Sequence, residues 1–145
     1  MRPKTDPQGN DLYWLEAEFN GWWRMARSPR SSLLDLATAV CKYYNVTEPR
    51  IVISRKYAPH DGDYVHQTIT LYSGRGDNPG VCMHELAHHV TDELYEAVEH
   101  HGPEFMAIYM HLLDKWCFIP NEEFRRLAKK YKLRIGRRYR PRAFR

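Results

Sequence analysis

Two histidines four residues apart, His84 and His88, bracket a glutamate, Glu85, in the stretch Met83-His84-Glu85-Leu86-Ala87-His88-His89. On an α-helix, positions i and i+4 share a face about 6 Å apart along the axis. Both imidazoles could then reach one Zn²⁺ at roughly 2.0–2.1 Å. Glu85 would flank the open side of the metal and take a proton from a water whose pKa the metal lowers to about 7. The pattern H-E-x-x-H arises by chance in roughly 3 of 100 chains of this composition, so alone it is a moderate signal. The plain alternative is a polar helix face with two solvated histidines. Val81, Leu86 and Val90 argue against it, because they form an apolar stripe that would bury the helix. A buried histidine needs a partner, and a metal is one.

A catalytic zinc ordinarily has three protein ligands and keeps a fourth position for water. The metzincin continuation would require Gly at position 91 and His at position 94, and Thr91 and Leu94 exclude it. Glu93, Glu96, Glu99 and His101 remain as third-ligand candidates on residue type. The block His101-Gly102-Pro103-Glu104-Phe105 adds a second motif. H-E-x-x-H followed at short distance by H-G-P-E-F resembles the SprT/Spartan-like family of zinc metalloproteases. The resemblance covers roughly residues 64–116. It implies that His101, not His100, completes the set of metal ligands with His84 and His88, and that Glu85 is the catalytic base. It also implies protein substrates associated with DNA. The cysteine-rich zinc ribbon that often follows the protease core in that family has no counterpart in this sequence.

A geometric demand follows. His101 lies 13 residues beyond His88, about 20 Å further along an unbroken helix. Ligand atoms of one zinc must lie within about 3–4 Å of each other. The helix must therefore stop between Thr91 and Glu96 and the chain must double back, although residues 92–99 are helix-permissive by propensity. Glu104 is a candidate acceptor that orients a ligand histidine; a first-turn acid favoured by the helix dipole explains it equally well.

The remaining elements frame these residues. Residues 10–26 read as a helix with Leu12, Leu15, Phe19, Trp22 and Trp23 on one face, and a second helix runs from about 32 to 44. Ile51-Val52-Ile53-Ser54-Arg55 reads as a strand, residues 60–63 as a turn, and residues 65–72 as one further strand. That last strand, just before the His84 helix, could pair along its edge with an extended substrate. Gly102 and Pro103 open a helix at about 103–116, and Asn121 caps a final helix at about 122–132. The expected fold is α+β: one zincin-like domain over 1–145, with a short antiparallel or mixed sheet packed on helices.

The 145 residues include 22 Lys or Arg and 18 Asp or Glu. Eleven of those cations and none of the acids fall within 125–145, which leaves 1–124 with a balance of −7. Arg125, Arg126, Lys129, Lys130, Lys132, Arg134, Arg137, Arg138 and Arg140 are candidate contacts to nucleic acid, with Tyr139 and Phe144 interleaved. A solubilising tail and an internal contact with the acidic body are the alternatives. No apolar run approaches the ~20 residues of a membrane helix, and no secretory h-region precedes residue 8. Three well-separated cysteines, Cys41, Cys82 and Cys117, suit reduced thiols in a cytoplasm, bacterial or that of a phage host. The function expected is zinc-dependent peptide-bond hydrolysis. The competing class is a zinc-stabilised nucleic-acid-binding module without turnover, and a non-peptide metallohydrolase is a third reading.

Overall fold

The computed structural model describes residues 5–19 and 26–140. Five helices and three strands follow one another as α1 (Gly9–Glu18), α2 (Arg30–Tyr44), β1 (Arg50–Ser54), β2 (Gly62–Val65), β3 (Thr68–Tyr72), α3 (Pro79–Leu94), α4 (Pro103–Cys117) and α5 (Asn121–Lys130). The architecture is α+β. The sheet is mixed, in the order β1-β3-β2, with β1 parallel to β3 and β2 antiparallel to it.

Two expectations about the sheet need correction. Residues 65–72 are not one strand but the end of β2, a turn and β3. His66 and Gln67 both have positive φ, 50° and 59°. Two successive left-handed residues make the primed turn that matches strand twist. The usual Asn-Gly signature for that turn is absent, which is why the hairpin does not show in the residue types. As a consequence β3 is the central strand, and the free edges belong to β1 and β2. The strand before α3 offers no edge to a substrate.

Ile51, Ile69 and Leu71 are buried on the face that meets the helices. α3 packs against α4, α2, β2 and β3 and is buried from Gly80 through Thr91. Asn78 caps it by accepting from the Val81 N–H at 3.0 Å, and Pro79 fills the first turn, where a missing N–H is harmless. Phe105, Tyr109, Leu112 and Leu113 of α4 complete the centre of the core.

The ends of the chain depart from expectation. α1 stops at Glu18 with Phe19 as its cap; Trp22 and Trp23 lie outside the described residues. α5 begins at Asn121 after a Pro120 cap, and the Asn121 side chain does not cap it. Its buried Oδ1 has no hydrogen-bond partner among the described residues. Residues 131–140 are not a loose tail. Leu133 is buried, Ile135 and Tyr139 pack against the core, and the Gly136 N–H donates to the Pro103 carbonyl at 2.8 Å. A Cβ on Gly136 would lie 2.9 Å from that oxygen, so the close approach needs glycine. All three cysteines are free and buried. Among the described residues no helix is long and apolar enough to cross a membrane.

His111 provides a test of this packing. Its Nδ1 lies 2.6 Å from the Tyr44 hydroxyl. Burial, with Arg138 and Lys115 nearby, lowers its pKa to about 4. The unfolded histidine titrates near about 6.5. As pH falls below that value the unfolded chain takes up a proton that the folded chain refuses, so stability falls between pH 6.5 and about 4 and His111 costs nothing further below. His111→Gln, which keeps an acceptor for Tyr44, is expected to flatten this loss by on the order of 2 kcal/mol, read from urea midpoints across that window.

Candidate metal centre

His84 and His88 project from successive turns of α3, which ends at Leu94, inside the range where the geometry required it to stop. Tyr95 is already extended, with φ −129° and ψ 143°. No proline or glycine marks this end. Tertiary contacts override the helical propensity of the segment. The His100 N–H donates to the Thr5 carbonyl at 2.8 Å and the Gly102 N–H to the Glu99 carbonyl at 3.1 Å. A Cβ on Gly102 would sit 2.8 Å from Glu99 Cβ, so this return turn closes only on glycine. Ala97 and His101 adopt left-handed φ of 53° and 52°. Such a conformation costs of order 1–3 kcal/mol in a residue with a side chain and persists only where its surroundings over-determine it.

Gln8 is one such determinant. It is only 5% exposed. Its Nε2 donates to the carbonyls of His101 at 3.0 Å and Arg134 at 3.3 Å, while its Oε1 accepts from the Arg134 N–H at 2.6 Å. One buried amide thus ties the segment before α1, the His101 turn and the segment after α5 into a single layer.

The result is three converging imidazoles. His84 Nε2 lies 3.2 Å and His88 Nε2 3.0 Å from His101 Nε2. Donors each about 2.0–2.1 Å from a tetrahedral zinc stand about 3.3–3.4 Å apart, close to the separation of these two pairs. These three buried histidines could hold a metal ion, their ligand atoms all lying within 4.8 Å of one another. A second grouping of Asp6, His100 and His101 meets the same distance, but it uses an exposed acid and shares His101. His100 instead stacks on His88, with centroids 4.4 Å apart and planes 10° from parallel, and walls the site.

The outward nitrogens are held by carboxylates. His84 Nδ1 is 2.5 Å from Glu16 Oε2, and the Tyr109 hydroxyl donates to the same oxygen at 2.7 Å. His101 Nδ1 is 3.1 Å from both oxygens of Asp6. A carboxylate on Nδ1 fixes the tautomer and turns the Nε2 lone pair inward. Burial opposes charge on both Glu16 and His84, but their mutual attraction outweighs it, lowering the carboxyl pKa and raising the imidazole to about 9. Burial and the charges of His84 and His100 lower His101 to about 4, against the pull of Asp6. A cation held by the three Nε2 atoms would take the place of the proton on His84.

Glu85 is 6% exposed. Burial raises its pKa to about 7; His84 opposes the shift, and Glu16 and Asp63 add to it. It follows His84 on α3 and lies one turn beyond Val81, whose Cγ1 would be 3.0 Å from a Cβ placed on Gly62. β2 therefore runs beside the face of α3 that carries Glu85.

Glu104 does not take the orienting role weighed for it. It makes no hydrogen bond to His84, His88 or His101 among the described residues. Its carboxylate adjoins Gly102 and, after burial, is the next cause of the raised pKa of Tyr95. Asp6 and Glu16 hold that place. Glu16 had a readable signal: an acid one turn from Leu12 on an otherwise apolar helix face. Asp6, in a loose Pro- and Gly-containing stretch, had none.

The nine basic candidates Arg125, Arg126, Lys129, Lys130, Lys132, Arg134, Arg137, Arg138 and Arg140 are all exposed. Among them Arg126 pairs with Glu123 at 2.5 Å, Lys130 with Glu18 at 2.6 Å and Arg134 with Glu99 at 3.4 Å. The internal contact with the acidic body is thus present for Lys130 and Arg134.

No family model, curated protein or solved structure matches this chain. Glu16→Gln is expected to lower zinc affinity about 10–100-fold, as loss of a ligand-orienting carboxylate does. Glu104→Gln should leave it unchanged. Chelator competition measures both, with circular dichroism as the folding control.

Proposed function

We propose that the protein is a zinc-dependent metallopeptidase. The observation that carries the reading is the convergence of three buried imidazole nitrogens beside a buried glutamate on the same helix. Zinc suits the donor set: three imidazole nitrogens of borderline softness, two of them with carboxylates behind their rings. When bound, it supplies Lewis-acid polarisation of a carbonyl and lowers the pKa of water.

The other steps belong to the chain. Glu85 accepts the proton of the attacking water and passes it to the leaving amine. A pKa near neutrality suits a group that must both take and give a proton. An extended peptide adds to the free edge of β2, where Val65 is 55% exposed and main-chain groups are unpaired on one side. Tyr13 is the tyrosine we assign to the oxyanion. It is 58% exposed, its ring stands edge-on to His101 with centroids 6.2 Å apart, and the charges of Glu16, Asp6 and Glu85 add to burial in raising its pKa. A hydroxyl there can donate to developing negative charge.

DNA-associated proteins are the substrate class suggested by the resemblance, with the exposed cations of α5 and the following segment as the nucleic-acid contact. Arg126, Lys130 and Arg134 have acidic partners within the chain, so Arg125, Lys129, Lys132, Arg137 and Arg138 are the primary candidates. Because Leu133 and Gly136 are packed, charge substitutions rather than truncation test that contact. Arg137→Ala with Arg138→Ala should flatten the salt dependence of DNA binding by a slope of about 2.

Glu85→Gln should retain zinc and abolish cleavage of a casein or DNA-bound protein substrate. An unchanged DNA-binding protein with no cleavage in either form would instead identify the nucleic-acid-binding module. Tyr13→Phe should keep zinc and KM and lower kcat by about 10²-fold.

A further inference from the structure

A second cleft opens where the parallel strands end. A cavity of ≈ 480 Å³ is lined there by Arg27, Ser28, Arg30, Arg55, Ser73 and Asp77, among others. It lies beyond the carboxyl ends of β1 and β3, which are parallel neighbours. In sheets with parallel strands this is where ligands settle. Two helices also begin at it. α2 starts at Arg30 and α3 at Pro79, just after Asp77, so both direct the positive ends of their dipoles toward the cleft.

The side chains reinforce that field. Asp77 is the only acid in the lining, and it is already committed. Its side chain is 8% exposed. Its Oδ2 accepts from Arg27 Nε at 3.1 Å and Nη2 at 2.9 Å, and its Oδ1 accepts from the Gly74 N–H at 2.8 Å. The same Arg27 Nη2 lies 3.1 Å from Ser73 Oγ. Arg27 is thereby neutralised and held in one orientation. Arg30 spends only Nε, on the Ile51 carbonyl at 3.1 Å, and keeps its terminal nitrogens. Arg55 has no hydrogen-bonded or ionic partner among the described residues. Two uncompensated guanidinium groups therefore border an open cleft, beside the hydroxyls of Ser73 and of Ser28, which donates to the Ala26 carbonyl at 3.3 Å.

We propose that this cleft binds a phosphate group carried on a larger body, either a free nucleotide or the terminal phosphate of a nucleic-acid strand. Planar guanidinium forks match phosphate oxygens in pairs. The volume falls in the range of about 300–1,000 Å³ that small-ligand sites occupy. Among the described residues the one acid of the lining is paired with Arg27, so the cleft carries net positive charge and favours an anion. Asp77 lies before the start of α3 and His84 in its second turn, and none of the histidines lines the cleft, so the cleft is separate from the histidine cluster. It does not depend on the metallopeptidase reading.

The test is equilibrium binding by the full chain of adenosine monophosphate, adenosine, inorganic phosphate, and a short single-stranded oligonucleotide with and without a 5′-phosphate. Adenosine monophosphate should bind and adenosine should not. Arg55→Ala, a change at an exposed residue, should weaken binding about tenfold or more, and Arg55→Lys less, with zinc affinity unaltered. Preference for the 5′-phosphorylated strand over the unphosphorylated one would make nucleic acid the source of the phosphate. Binding of the mononucleotide without that preference would make it a free nucleotide. Equal binding of adenosine and its monophosphate, no binding of either, or insensitivity to Arg55→Ala would overturn the proposal. So would loss of binding in Arg137→Ala with Arg138→Ala in place of Arg55→Ala.

Discussion

The Nε2 atoms of His84 and His88 stand 3.2 and 3.0 Å from that of His101 in a buried site, and their lone pairs repel unless a positive charge lies between them. A proton relieves one pair; a divalent cation relieves all three together. The rest of the domain can be understood as what is needed to hold these rings in that posture. α3 supplies two of them and is buried along most of its length. The third must come from a segment that leaves the helix and returns. Return requires an abrupt stop at Leu94, a glycine at Gly102 and a left-handed His101. None of these is favourable by itself. They are offset by contacts from the start of the chain: Thr5, Asp6 and Gln8 against the turn, and Glu16 against His84.

The segments before α1 and after α5 are therefore part of the site. α1 and the residues before it supply both carboxylates that orient the histidines. The segment after α5 closes over them through Gln8 and Pro103. The cations there have an internal role as well as any external one, because Lys130 and Arg134 pair with acids of the acidic body. An asymmetric charge distribution that reads as a body and a tail becomes, in space, a chain folded back on itself.

What the residues revealed, and what they hid, divides along physical lines. The i, i+4 spacing of His84 and His88 is local, so the face they share was legible, as was the arithmetic that forbade a straight helix to His101. The Gly102-Pro103 pair marked the start of α4. The carboxylate partners were hidden because they lie 68 and 95 positions from their histidines, and no spacing encodes such a pairing. Glu104 was attractive only through being close in sequence. The β2–β3 hairpin escaped notice because His66 and Gln67 adopt left-handed angles that residues of their kind rarely signal. The order of the strands was likewise hidden, and with it the edge position of β2 beside α3.

The most direct measurement is the metal content and X-ray absorption spectrum of the purified full chain beside His101→Ala. One zinc per chain with three imidazole nitrogens at about 2.0–2.1 Å is expected, with one nitrogen lost from the shell and weaker retention in the variant. A chain that takes up no stoichiometric metal, or a first shell indifferent to the loss of His101, would contradict the convergence on which the whole reading stands.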